Sequence, residues 1–543
     1  MPLIKTELLQ PDNSYAGEYL RSGKPSARLS PNDDLQTYCA LDCCVTLEVR
    51  EELGTLFNQP PAIYDFERAL QGPYLDMMQR GFLVDNLSRR QVGEELGRRI
   101  ASLQETLDSF ARAVWDKPLN PRSTKQLQSF FFGSLNLPEV WISQKGQRKL
   151  STNREALEKL HDYIYARPFV NIILAIRDLA KQLSVLETEI DLDGRFRTSY
   201  NIAGTETGRP SSSSNAYGTG GNAQNIAPNL RYIFVADPGC KIAVIDLEQV
   251  EARDVGFFIG CLFGDWKFLD SCESGDLHSN NAKLVWPELK WTGDPKKDRA
   301  IADRLFYREF SYRDFAKRGS HLSNYSGTAW TMARSLKIPQ AVAEEFQARY
   351  CRGASANPKL GLPAISPAFP GIPRYWQWIA QQLQTTHQLV TPFGRQRHFF
   401  GRPGDDTTLR EAIAFLPQST TADRMNLGLW RIWKHMPQCQ ILAQTYDSVT
   451  FQFDEKLDEQ KIIEEALELI KVELISPSGR KYVVPGEAKI GWNWGAQVTE
   501  QDRAKALAEG RKVPRLNLDG LVKWKKGERD QRVRKVGIKR QIL

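Results

Sequence analysis

No stretch of the 543-residue chain holds the run of about 18 apolar residues that a membrane-spanning helix needs. The opening, MPLIKTELLQPDNSY, lacks the basic-then-apolar profile of a secretory leader, so a cytosolic protein with no membrane partner is expected. Eight cysteines (39, 43, 44, 240, 261, 272, 351 and 439) are scattered with no C-x-x-C pair. That removes the usual signature of a zinc site or a disulfide frame and predicts reduced, mostly structural thiols. No internal repeat occurs at a solenoid period. Compositional bias is missing too: 41% hydrophobic and 25% charged residues are ordinary globular usage, which excludes wholesale disorder. A chain of this length predicts two to four domains.

The net charge of +8 is present but uneven. Residues 501–543 carry 14 Lys/Arg against 5 Asp/Glu, a difference of +9, so this segment holds the whole excess. Two readings stand for it: a basic tail with Trp524 inside KWKKG that tracks a phosphate backbone, or a solvated or loosely helical terminus.

Helical spacing of apolar residues marks 37–57, Tyr64 to Arg80, Gln91 to Trp115 and roughly Arg154 to Ile190, the last two predicting a protruding helical arm. Residues 240–246, CKIAVID, read as an apolar strand ending on Asp246, and helical spacing follows in QVEARDVGFFIG. QILAQTYDSVTFQF reads as a β-hairpin with Asp447 at its turn. Residues 263–417 are expected to be largely helical, interrupted by the Pro/Gly-rich stretch 357–373. A sheet-based centre with a helical insertion gives an α+β fold.

One Asp at a strand end means little, since most cap helices or turns. The pairing with a cationic helix changes its weight. Arg313, Lys317, His321 and Tyr325 recur every four residues, about 400° per step, so successive members drift only about 40° along one helical face. A merely solvated basic face is not expected to end in His and Tyr. Permanent charge for phosphates, followed by flat rings for sugar and base, suits a triphosphate. Two carboxylates that hold divalent metals, facing cations that neutralise a triphosphate, outline a nucleotidyl-transfer site.

These blocks resemble those of family A DNA polymerases, the group of bacterial DNA polymerase I and many phage replicative enzymes. DLEQVEAR at 246–253 resembles the first palm motif, RDFAKRGSHLSNY at 313–325 the fingers helix, and QTYDSV at 444–449 the second palm motif. STKQLQ at 123–128, TETGRPSS at 205–212, NAQNI at 222–226 and GDLHSNNA at 275–282 extend the resemblance from about Tyr64 to Gln497. It implies a right-hand fold with an antiparallel palm sheet, helical fingers and a helical thumb. The implied segments are an exonuclease-like remnant at 1–62, thumb at 63–200, palm at 201–262 and 418–500, fingers at 263–417 and the basic tail at 501–543.

Carried onto this sequence, the resemblance implies that Asp246 and Asp447, with the Leu247 carbonyl, bind two magnesium ions, with manganese as a substitute. Arg313, Lys317 and His278 would hold the incoming triphosphate. Glu251 would obstruct a 2′-hydroxyl and favour dNTPs over rNTPs. His321 lies beside the nucleotide, and Tyr325 stacks near the template side of the new pair. Arg209, Gln224, Asn225, Arg410, Gln418 and Tyr446 would contact primer–template DNA. A single-subunit RNA polymerase is the nearest alternative, opposed by Glu251 and STKQLQ. A catalytically inactive DNA-binding relative is opposed by joint retention of Asp246, Asp447, Arg313 and Lys317.

Several positions depart from the family pattern. His321 stands where bacterial members carry Phe or Tyr, which predicts stronger discrimination against dideoxynucleotides. Tyr446-Asp447-Ser448 replaces His-Asp-Glu, and Ser326 replaces a glycine. TYCALD at 37–42 resembles the last motif of the family's 3′–5′ exonuclease through Tyr38 and Asp42, but only 36 residues precede it. No proofreading by this chain alone is therefore expected. Either a separate exonuclease subunit docks onto residues 1–60 or the chain is truncated. The tail leaves room for a processivity factor, and GWNWGAQ at 491–497 has a phage-like look, implying viral replication in a bacterial host cytoplasm.

Overall fold

The computed structural model describes residues 31–56, 62–144, 147–215, 218–308, 310–356, 363–508, 510 and 512–534. The chain forms two compact units, Met1–Ala69 and Leu70–Leu543. In the first, Tyr38 and Asp42 lie on a helix spanning Pro31–Leu56. Of the rest of the expected exonuclease remnant, residues 1–30 and 57–61 lie outside the described residues.

In the second unit, α1 (Asn86–Trp115) starts where the Asp85 carboxylate accepts from the backbone N–H groups of Leu87 and Ser88. It stops at Asp116, which takes a left-handed conformation with φ +58°. α1 packs along α2 (Arg167–Glu187), whose apolar face buries Val170, Ile173 and Ile176. The single helix expected from Arg154 to Ile190 is in fact two, Arg154–Leu160 and α2. Pro168 has no N–H to continue a helix and instead occupies the first turn of the second one.

A five-stranded antiparallel sheet forms the centre. Its strands are β1 (Cys240–Leu247), β2 (Gln440–Thr445), β3 (Ser448–Asp454), β4 (Gly486–Gly491) and β5 (Val522–Lys523), in the order β2-β3-β1-β4-β5. β1 is buried on both faces through Ile242, Ala243 and Ile245, which is why it reads as a continuous apolar run. Register sets the functional edge: Ser448 and Glu487 flank Asp246 on either side, and the β2–β3 hairpin closes Thr445 on Ser448. β1 leads into α3 (Val250–Phe263), ended by Gly264 in the left-handed region.

The inserted region is helical, as expected, but also contains two short hairpins, Leu305–Tyr307 with Phe310–Ser311 and Gln388–Val390 with Gln396–His398. Within it, α4 (Leu277–Val285) packs on α5 (Tyr312–Asn324). The Ser311 hydroxyl caps α5 by accepting from the Asp314 N–H at 3.1 Å. α6 (Asp406–His435) runs without a break through Pro417 and returns the chain to the sheet.

The basic segment after residue 500 is folded where it is described. A helix covers Glu500–Ala508, and β5 adds an edge strand to the sheet, with Lys523 opposite Lys489. Within this segment, backbone pairing and buried charge hold residues 517–532 against the sheet rather than free in solvent.

Candidate active site

Asp246 and Asp447 end up on one sheet edge because β1 pairs directly with β3, whose hairpin turn carries Asp447. The Leu247 N–H donates to the Asp447 carbonyl at 3.1 Å, which fastens the two segments. Tyr446 occupies the turn at φ +55°, a costly conformation for a bulky residue. Its exposed ring reaches Asn225, to which the hydroxyl donates at 3.2 Å.

The electrostatics of this pair are unfavourable in the protein alone. Burial, then the neighbouring Asp447 charge, pushes the Asp246 carboxyl up to about 7. Burial likewise raises Asp447. Asp246 Oδ1 is buried without a hydrogen-bond partner. Two crowded carboxylates with an orphaned oxygen fit a bound cation, which would supply the missing positive charge. Among the described residues, no group of three or more His, Cys, Asp or Glu side chains is arranged around a metal position.

Opposite the carboxylates lies α5. A cavity of about 710 Å³ is lined by Asp246, Leu247 and Asp447 on the sheet side, by Glu251 of α3 and His278 of α4, and by Arg313, Lys317, His321 and Tyr325. The periodic series predicted from sequence therefore does face the paired aspartates. Only its first three members are helical, since Tyr325 caps the C-terminal end. The buried face of α5 holds Phe315, Ala316 and Gly319; a Cβ on Gly319 would stand 2.6 Å from the Phe346 ring, so the close approach of these helices needs glycine.

Glu251 is held from two sides. Tyr325 donates its hydroxyl to one carboxylate oxygen and Arg209 its guanidinium to the other. Burial followed by the Glu251 charge raises the Tyr325 hydroxyl well above the usual phenol range. Arg209 also lies over the Tyr446 ring, 5.9 Å from its centroid. The TETGR turn that delivers Arg209 requires Gly208, which has φ +75° and would put a Cβ 2.4 Å from the Arg395 guanidinium carbon.

His278 is neutral at pH 7, because burial and then the Arg313 and Lys317 charges press it down to about 4. Its Nδ1 is buried and unpartnered. Arg313 forms a two-pronged bond to Asp276 at 2.8 and 3.0 Å. Although burial works against it, this contact holds the Asp276 carboxyl below its ordinary range. Asp276 was missed in the sequence, although it also caps α4 by accepting from the His278 N–H.

The remaining expected DNA contacts do not gather in this cavity. Gln224 is buried; its amide nitrogen donates to Gln444, and its carbonyl accepts from the Ser212 hydroxyl at 2.8 Å. Arg410 and Gln418 lie on α6, where exposed Arg410 donates to the carbonyl of Asp406. Two further cavity residues lie outside the palm and fingers motifs: Glu487 on β4, which gave no sequence signal, and Lys523 on β5, which belongs to the basic KWKKG run.

The family model of DNA polymerase family A matches residues 88–496, and the chain belongs to that family. It is 27% identical over 495 residues to DNA polymerase I of Chloroflexus aurantiacus, a match covering 86% of this chain and 47% of that protein. It is 26% identical over 481 residues to the thermostable DNA polymerase I of Thermus aquaticus, covering 83% and 50% respectively. The chain spans about half the length of the curated relatives it matches. The polymerase domain of Pol1 from M. smegmatis, solved in complex with DNA primer–template and dNTP, shares the fold. Its TM-score is 0.61 at 22% identity, over 88% of this chain and 77% of that one. Among the described residues, no helix is long and apolar enough to cross a membrane.

Proposed function

We infer that the chain is a template-directed DNA polymerase that extends a primer 3′-hydroxyl with dNTPs. The observation that carries this reading is a single cleft in which Asp246 and Asp447 face Arg313, Lys317 and neutral His278, with Glu251 at its wall. The related Pol1 polymerase domain holds primer–template DNA and dNTP in its complex, which supports the same ligands here.

Two magnesium ions, or manganese in their place, would be held by Asp246, Asp447 and the Leu247 carbonyl. Bound there, they would neutralise the carboxylates and supply the charge stabilisation of a phosphoryl transfer. The chain's own residues then divide the work. Lys317 and Arg313 neutralise the triphosphate, with Arg313 shared between phosphate and Asp276. His278 adds a hydrogen-bond donor to the same phosphates. Glu251, clamped by Tyr325 and Arg209, presents a fixed obstacle to a 2′-hydroxyl and favours deoxynucleotides. Arg209, Gln224, Asn225, Arg410, Gln418 and Tyr446 would contact primer–template DNA, Tyr446 near the primer terminus.

The reading includes replication of viral type in a bacterial cytoplasm, without proofreading by this chain, with an exonuclease subunit or a processivity factor as candidate partners. Primer extension with magnesium tests its core. Native chain should extend with dNTPs and not rNTPs, and Asp447→Ala should abolish extension. Extension with rNTPs would favour an RNA polymerase; DNA binding without any extension would favour an inactive relative. Magnesium-dependent removal of a mismatched 3′ nucleotide would overturn the absence of proofreading.

A further inference from the structure

The family match ends at residue 496, yet the cleft does not. Lys523 lines it from β5, a strand added by the segment beyond that match. This segment is tied down at several points. The backbone N–H groups of Leu521 and Trp524 donate to the carbonyls of Gly495 and Ala488 at 2.7 and 2.9 Å. Arg532 donates to the carbonyls of Gly520 and Ile490 at 2.8 and 3.1 Å and lies over the Trp492 ring. Lys241, nearly buried, reaches Asp530 at 3.4 Å and Glu459 at 2.9 Å. Gly491 permits the approach, since a Cβ there would stand 2.7 Å from the backbone of Gly520.

The position of Lys523 follows from register. β5 lies two strands from β1, about 9–10 Å away. Its Cα is level with Lys489 and Val244, but its ammonium turns toward the site and reaches Glu487 at 2.9 Å. Glu487 is the cross-strand neighbour of Asp246 and also holds Lys489 at 3.1 Å. One carboxylate thus carries two ammonium groups, leaving a net positive charge beside Asp246. Lys523 remains 62% exposed, with one of its three N–H donors on Glu487.

Sheet order gives this charge its side. Reading outward from β2, the edge presents Tyr446 and Asp447, then Asp246, Glu487 and Lys523. Lys523 therefore stands on the opposite flank of Asp246 from Tyr446 and Asn225, to which the polymerase reading gives the primer. In the transfer, the primer 3′-oxygen bonds to the α-phosphorus, the bridging bond from that phosphorus to the β-phosphate oxygen breaks, and pyrophosphate departs as the hydroxyl proton goes to solvent. The leaving group exits away from the attacking oxygen, because the two are in line.

We propose that Lys523 binds the departing pyrophosphate, a role that rests on the polymerase reading above. Glu487 is its positioning residue and competes with the phosphate for the ammonium.

Pyrophosphorolysis measures this directly, as the KM for added inorganic pyrophosphate with primed template and saturating magnesium. Lys523→Ala should raise that KM about tenfold, and Lys523→Arg should restore most of the loss. Glu487→Gln should lower the KM, because it frees the ammonium and removes a negative charge. The opposite signs separate this role from a structural one, in which breaking the pair from either end would disturb β5 alike. An unmoved KM in Lys523→Ala, or a raised KM in both variants, overturns the proposal while leaving polymerase activity standing. A native chain that neither extends primers nor consumes pyrophosphate overturns both readings.

Discussion

Asp246 and Asp254 stand eight positions apart on the same strand–helix unit, and although burial raises both carboxyls, the protein surrounds them with different partners. Asp254 is wholly buried, and every contact it makes answers its charge. Arg424 and the Tyr482 hydroxyl donate to one oxygen at 3.0 and 2.8 Å, and the Thr421 hydroxyl to the other at 3.1 Å. Arg424, also fully buried, reaches the Val472 carbonyl at 2.8 Å. Asp246 has an orphaned oxygen and a second carboxylate for company. The first cluster fixes α3 to α6 and so holds Glu251 in place. The second stores an unmet demand for positive charge at the floor of the cleft.

The sharpest way to break this contrast is to remove one acid from each cluster. Asp447→Ala should lower primer extension about a thousandfold, equivalent to ~4 kcal/mol of barrier, while leaving stability unchanged or higher. Asp254→Ala should do the reverse in kind. With Arg424 left buried and unpaired, unfolding free energy from urea titration should fall by about 3–5 kcal/mol. Equal stability losses in the two variants would show that the clusters do not differ in role.

pH sharpens the same comparison. The folded Asp246 carboxyl keeps its proton to about 7, whereas an ordinary one releases it near 3.8. Its contribution to stability is therefore complete below the lower value and lost as pH rises through the higher one. Without divalent metal, the thermal midpoint should drop between about pH 5 and pH 8. Asp246→Asn should flatten that drop, and magnesium should raise the midpoint more at pH 8 than at pH 5. A metal effect independent of pH would separate the cation from these carboxylates.

His321 offers a smaller perturbation within the cleft. Its ring lies edge-on to Tyr325, 5.4 Å between centroids, and is exposed where it lines the cleft. His321→Tyr should increase dideoxynucleotide incorporation relative to the natural substrate by about tenfold, read from single-nucleotide competition. An unchanged ratio would remove His321 from sugar discrimination.

What was legible in the sequence follows from how far each signal had to travel. The two strand-ending aspartates and the four-residue cationic series are local patterns, and short-range rules sufficed to place them. The break before α2 was also local, and Pro168 was its overlooked marker. Asp276 was half legible: its capping role is a near-neighbour feature, but its bond to Arg313 spans 37 residues. Glu487 was out of reach, and Lys523 was visible only as part of the basic KWKKG run, because only the register of β1, β4 and β5 brings residues 246, 487 and 523 together. The same register explains why a basic stretch that looked like a tail is part of the sheet.

Ser326 shows the limit in the other direction, since its oddity was visible while its cause was not. The residue sits directly after Tyr325 with φ +61°, in the left-handed region where a Cβ is penalised and glycine is not. The turn is fixed on both sides: the Ser326 N–H donates to the Ser323 carbonyl at 3.1 Å and the Gly327 N–H to that of Leu322 at 3.0 Å. It therefore cannot relax into a commoner conformation without releasing Tyr325 from Glu251. Relief of strain should outweigh the extra freedom glycine gives the unfolded chain, so Ser326→Gly should stabilise the protein by about 0.5–1 kcal/mol. The change should also leave dNTP-over-rNTP selection intact, because the Tyr325–Glu251 contact is kept. A loss of stability in urea titration would mean that the serine hydroxyl, rather than the backbone angle, governs this turn.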